Sequence, residues 1–119
     1  MGGWIGVDLD GTLAKYEGWQ GPEHIGEPIA PMVERVKRWI QEGKEVRIFT
    51  ARMSGPRADI LETSRTTELI LEWTKKHIGV ALPATCVKDY GMIELWDDRA
   101  VQVEMNTGRP IGHSTKGLE

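Results

Sequence analysis

The chain has 119 residues, enough for one domain with its own core and too few for two of ordinary size. Eighteen acidic against fifteen basic side chains leave a net charge of −3, which removes the electrostatic case for a nucleic-acid or membrane-surface protein. A single cysteine, Cys86, excludes an intramolecular disulfide and suits a reducing, cytoplasmic location, with Cys86 read as a small core hydrophobe. No apolar run approaches the roughly 20 residues that span a bilayer, and the short apolar stretch near the N-terminus reads as a strand and not as a leader.

In chain order, Trp4-Ile5-Gly6-Val7 reads as a buried strand that ends on Asp8-Leu9-Asp10-Gly11-Thr12. Asp and Gly are depleted in strands, so two carboxylates and a glycine at a strand's end cost stability unless something binds them. The stretch from Ala14 to Ile29 is a long connection rich in Gly and Pro, and loops of that length are usually functional or disordered. Pro31 fits the first turn of a helix running through Met32 to Glu42, with Val33, Val36 and Ile40 inward and Gly43 as its stop. Arg35, Lys37 and Arg38 then form its solvated face.

Glu45 to Phe49 is a second strand and ends on Thr50. A second helix is predicted over Thr63 to His77, with Leu69, Ile70 and Trp73 inward and Gly79 ending it. Thr85-Cys86-Val87 makes a third strand ending on Lys88, and Met92 to Trp96 a fourth ending on Asp97-Asp98. Ala100 to Val103 reads as a short edge strand, and the tail from Asn106 as loosely ordered. Strands alternating with helices predict an α/β domain: a Rossmann-like three-layer αβα sandwich, mainly parallel, with helices on both faces of the sheet. Ligands of such sheets bind outside the carboxyl ends of the strands. One pocket should therefore gather Asp8, Asp10, Thr50, Lys88, Asp97 and Asp98.

These residues, in this order, resemble the haloacid dehalogenase (HAD) superfamily of phosphohydrolases. Asp8-Leu9-Asp10-Gly11-Thr12 is similar to its first motif, Phe49-Thr50 to its second, Lys88 to its third and Asp97-Asp98 to its fourth. A calcium loop is the rival for Asp8-x-Asp10, and it fails: the positions that need a ligand, a glycine and a glutamate hold Thr12, Leu13 and Trp19. His24, His77 and His113 form no rival catalytic set, because none has a Cys or a second His at metal-ligand spacing.

The resemblance implies that Asp8 is a nucleophile forming an aspartyl-phosphate, and that Asp10 is the acid and base of the two half-reactions. Thr50 and Lys88 would bind the transferring phosphoryl group. Arg52 stands between gripping substrate phosphate and covering a helix end. Clustered carboxylates repel, by about 4 kcal/mol for a pair about 4 Å apart at an effective dielectric near 20. A divalent cation removes that penalty, and an all-oxygen set fits Mg²⁺. By resemblance, Asp8, Asp10 (through its backbone carbonyl) and Asp97 would hold the metal, with Asp98 binding it through water or orienting those ligands.

The segment 14–29 occupies the family's flap position. Neither gap between motifs has room for a cap domain; capless members of the family either admit large substrates, such as nucleic-acid ends or proteins, or borrow a lid by forming a homo-oligomer. The substrate expected is a small phosphorylated molecule, favoured over nucleic acid because of the acidic charge. Tyr16 and Trp19 stand where they could stack a base or sugar. The runner-up is a nucleotide or nucleic-acid 3′-end phosphatase, and the reading of another class is a non-catalytic Mg²⁺ or phosphate-binding module.

Overall fold

The computed structural model describes residues 2–54 and 60–112. Strand β1 spans Trp4–Val7, helix α1 Ala30–Gln41, β2 Glu45–Phe49, a 3₁₀ turn Ala51–Met53, α2 Ile60–Ile78, β3 Ala84–Thr85 and β4 Met92–Trp96. The four strands form one all-parallel sheet in the order β3-β2-β1-β4. The carboxyl ends therefore share an edge, and Asp8, Thr50, Cys86 and Asp97 each stand one residue beyond a strand there. β1 is central and buried throughout, which is why its sequence is apolar without alternation.

Ile5 pairs with Val46 and Val7 with Ile48, so the four share one face of the sheet. That face packs with Met32, Val33, Val36 and Trp39 of α1 and with Ile70, Trp73 and Ile78 of α2 in a single cluster. The α1 stripe thus adds Met32 and Trp39 to the expected set, with Ile40 at its margin. Trp39 meets Trp96 of β4 edge-on, ring centroids 5.1 Å apart. Val7, Leu9, Ile48 and Ile70 are fully buried, and each such side chain contributes on the order of 1.5–3 kcal/mol.

The Rossmann-like architecture is present, but the helices are distributed otherwise than expected. The steps from β1 to β2 and from β2 to β3 go the same way across the sheet, and right-handed crossovers then place both helices on one side. The return from β3 to β4 uses only residues 86–91, whereas a crossover helix needs a dozen or more. On that second face, Trp4 is covered by the Arg47 guanidinium, 4.5 Å from its ring, and its indole N–H donates to Asp89 of the connection at 2.8 Å. Among the described residues this face carries no helix.

After β4 no strand forms over residues 100–103. Val103 makes one isolated bridge to Pro110, and the chain folds into a tight turn through Asn106 (φ +68°). The Glu104 N–H donates to the Arg109 carbonyl and the Ile111 N–H to the Gln102 carbonyl, so 102–111 is hydrogen-bonded where a loose tail was expected. His113 and the residues after it lie outside the described residues. No helix among the described residues is long and apolar enough to cross a membrane.

Candidate active site

Beyond Val7 the chain wraps around one carbonyl. The Leu9 oxygen accepts from the N–H groups of Leu13 (3.0 Å) and Ala14 (2.8 Å), and the Gly11 N–H donates to the Ala14 carbonyl. Gly11 has φ +95°, and a Cβ there would lie 2.6–2.9 Å from the Asp98 carboxylate. Only glycine admits both that backbone and that approach. The Asp8 N–H donates to the Trp96 carbonyl at 2.9 Å, which extends the β1–β4 ladder and seats Asp8 beside Asp97. The Thr12 Oγ1 accepts the Asp98 N–H at 2.9 Å and lies 3.1 Å from the Asp98 carboxylate and 3.4 Å from that of Asp8.

Asp8, Asp97 and Asp98 consequently offer oxygens that all lie within 4.8 Å of one another. Burial pushes the Asp8 carboxyl up to about 7, and the charges of Asp97 and Asp98 add to the effect. The donor set is all carboxylate oxygen, which fits a hard divalent cation such as Mg²⁺.

Asp10 stands apart from that cluster because Arg52 holds it. The Arg52 Nε and Nη2 donate to the two Asp10 oxygens at 2.7 and 2.9 Å. The same guanidinium donates through Nη1 to the Pro22 carbonyl (3.2 Å) and through Nη2 to the His24 carbonyl (2.8 Å), and lies 4.9 Å from the Trp19 ring. Its side chain is only 6% exposed. Sequence reasoning left Arg52 between substrate phosphate and a helix end; its donors go to Asp10 and to the long loop.

Thr50 is buried, and its backbone N–H donates to the Thr85 carbonyl at 2.9 Å. Its Oγ1 accepts the Arg52 backbone N–H at 3.1 Å, which leaves the hydroxyl proton free to be donated into the cleft. The 14–29 loop is closed at its base by Lys15 N–H to Glu27 carbonyl and Ile29 N–H to Leu13 carbonyl, both 2.8 Å. A Cβ on Gly26 would overlap the Lys15 carbonyl, so the two stems can meet only with glycine there. The Trp73 indole donates to the Gly26 carbonyl at 3.1 Å, and Arg65 of α2 pairs with Glu23 at the tip.

A cleft of about 790 Å³ opens at the carboxyl edge of the sheet, walled by Tyr16 and Trp19 of the loop. Asp8, Asp10, Thr50, Arg52, Asp97 and Asp98 are brought together there, and Lys88 is not. β3 stops at Thr85, whose Oγ1 takes the Val87 N–H and turns the chain away, so Lys88 sits exposed on the 86–91 connection. The same early stop corrects the reading of Cys86: it is exposed at the cleft and not a core hydrophobe, with Sγ 3.5 Å from the Met53 carbonyl. Sequence reasoning missed Arg99, which lines the cleft and has no side-chain partner among the described residues. Its place directly after Asp97-Asp98 was the available signal. Thr66 of α2 also lines the cleft, and nothing in its sequence neighbourhood marks it.

No family model, curated protein or solved structure matches this chain.

Proposed function

We propose that this chain is a Mg²⁺-dependent phosphate monoester hydrolase of the HAD type that works through an aspartyl-phosphate on Asp8. One observation carries the reading: two carboxylates separated by a single residue are put to different uses. Asp8 joins Asp97 and Asp98 in an oxygen cluster suited to a cation, while Asp10 is held outside that cluster by a two-pronged ion pair. A nucleophile and a separate acid–base group are what two-step phosphoryl transfer requires.

An Asp8 oxygen attacks phosphorus, the bond to the leaving oxygen breaks, and that oxygen takes a proton from Asp10. Water then attacks the phosphorus, gives its proton to Asp10, and the bond to Asp8 breaks, releasing phosphate. Both Asp10 oxygens accept from Arg52, which fixes where that carboxylate stands relative to the cleft. Asp8, Asp97 and Asp98, with the Asp10 carbonyl, would hold Mg²⁺, which supplies positive charge that keeps Asp8 ionised and offsets charge on the phosphoryl group. We read the Thr50 hydroxyl and the Arg99 guanidinium as donors to phosphoryl oxygens, and Lys88 would join them only by a swing of the 86–91 connection.

The substrate class proposed is a small phosphorylated metabolite handled in the cytoplasm. A nucleotide or nucleic-acid 3′-end is the second reading. It is favoured by Trp19 and Tyr16, which wall the cleft while 58% and 44% exposed. The test is Mg²⁺-dependent phosphate release from an aryl phosphate, with intact-protein mass spectrometry after rapid quench. A phosphoryl group mapped to residue 8 supports the reading. Phosphorylation elsewhere, or steady turnover by Asp8→Asn, overturns it. Mg²⁺ binding without any turnover would leave the non-catalytic module.

A further inference from the structure

We infer that Arg52 is a positioning residue that fastens the 16–24 loop over the cleft and aims the Asp10 carboxylate, so that this chain carries its lid in cis. The chemical half of this inference rests on the proposed hydrolase reading; the lid half does not.

Arg52 follows β2 by three residues, on the 3₁₀ turn, and its own backbone is anchored to the Thr50 hydroxyl. A guanidinium has five N–H donors in a rigid plane. Four hydrogen bonds engage them here: two to Asp10, one to the Pro22 carbonyl and one to the His24 carbonyl. Trp19 lies against the same group. One nearly buried side chain thus binds the carboxylate proposed to move protons and three separate points of the loop that walls the cleft.

The geometry leaves little of Arg52 for a substrate phosphate. It also makes the two jobs interdependent. Loss of the loop carbonyls would leave the guanidinium free to rotate off Asp10, and loss of Asp10 would leave the loop tied to an unpaired charge. Among the described residues, the wider 14–29 loop is also tied by Arg65 to Glu23 and by the Trp73 indole to Gly26, and neither tie involves the carboxylates of the cleft. A lid held in this way needs neither an inserted cap domain nor a second subunit. Lysine cannot replace the plane: a single ammonium can reach Asp10 or the two carbonyls, not all three.

The test compares wild type with Arg52→Lys, Arg52→Ala and Asp10→Asn on 4-nitrophenyl phosphate and phenyl phosphate, esters of similar shape whose leaving groups differ in their need for a proton. Amide hydrogen exchange of the same full-length proteins is followed in parallel. Positioning through Asp10 predicts that both Arg52 variants lose at least about ten-fold more kcat on phenyl than on 4-nitrophenyl phosphate, with little change in KM, matching the pattern of Asp10→Asn. The lid predicts faster exchange across 16–24 in both variants while β1 and α1 keep their protection; Arg52→Lys retains the charge should Arg52→Ala fold poorly. Equal losses on the two esters with a raised KM would make Arg52 a phosphate ligand and overturn the positioning role. Unchanged exchange at 16–24 would overturn the lid. If wild type cleaves neither ester, the hydrolase reading and the aiming of Asp10 fail together, and exchange alone still decides the lid.

Discussion

Thr12 and Asp98, 86 residues apart, grip each other from both sides: the threonine oxygen accepts the Asp98 N–H at 2.9 Å and stands 3.1 Å from its carboxylate. One hydroxyl thereby joins the turn after β1 to the turn after β4. Its single proton can serve Asp98 or Asp8, not both at once. Thr12→Val removes these bonds at nearly constant volume and should raise the Mg²⁺ needed for half-maximal activity by about 10- to 100-fold, the usual effect of losing a group that orients metal-binding carboxylates. Thr12→Ser should restore most of it. Metal titration of the three proteins checks this, and an unchanged requirement in Thr12→Val would remove Thr12 from the site.

Gly11→Ala should act on the same contact by a different route. A methyl group there meets the Asp98 carboxylate and forces a side chain into φ +95°. Such strain costs on the order of 1–3 kcal/mol. Thermal unfolding should show a lower Tm, and metal titration a weaker site, because Asp98 must move for the methyl to fit.

The raised carboxyl of Asp8 makes a pH prediction whose sign is fixed. The folded protein holds this proton up to about 7, whereas the unfolded chain releases it near 3.8. Between those values the folded state binds more protons, so stability falls as pH rises across that window. Metal-free protein should therefore melt at a lower temperature at pH 8 than at pH 5, and Asp8→Asn should flatten that dependence. Mg²⁺ at pH 8 should raise Tm of the wild type and do little for Asp8→Asn. A metal-free Tm that climbs from pH 5 to 8 in wild type but not in Asp8→Asn would contradict the assignment.

Arg99 and Lys88 divide the question of which cation meets the phosphoryl group. Arg99→Ala should lower kcat/KM by about 10²-fold, in the range seen when a preorganised donor is lost. Lys88→Ala should cost less, since Lys88 is exposed outside the cleft. The reverse order, measured on one aryl phosphate, would mean that substrate draws the 86–91 connection inward.

Asp97→Asn should raise the Mg²⁺ requirement more than Asp98→Asn, because Asp97 is the less exposed of the two and follows Trp96, which pairs with Val7 at the end of the β1–β4 ladder. Side-by-side metal titrations decide it, and the opposite order would exchange their roles.

Much of this molecule was legible in the sequence because strand ends were marked by chemistry. β1, β2 and β4 have the bounds expected of their apolar runs, since each run stops on Asp8, Thr50 or Asp97. The apolar spacing and Gly43 located α1 to within two residues. What failed depended on geometry that no local pattern records. Nothing near Arg52 says that its partners are Asp10, 42 residues away, and two carbonyls of a loop. The third strand was read one residue late at its start and two too far at its end because Val87 is apolar, although Thr85 takes its N–H and ends the strand. The one-sided placement of the helices was within reach of simple counting. Six residues between β3 and β4 cannot hold a crossover helix, and that gap could have been measured before any periodicity.

β4 is an edge strand with a single neighbour, β1, and just beyond its end it carries two of the three clustered carboxylates. Above about pH 7, where Asp8 is ionised, and without a counter-charge, the same groups that make the site would push its halves apart along their one shared ladder. The seam between first and last strands should then be where the empty protein breathes, with β4 peeling while β2 and the helix-packed face stay shut. A bound cation would act there as a rivet, closing a contact between turns 86 residues apart. Occupancy of the site and closure of the sheet would thus be a single equilibrium, so a cell's free Mg²⁺ would set how often this domain lies open to a protease.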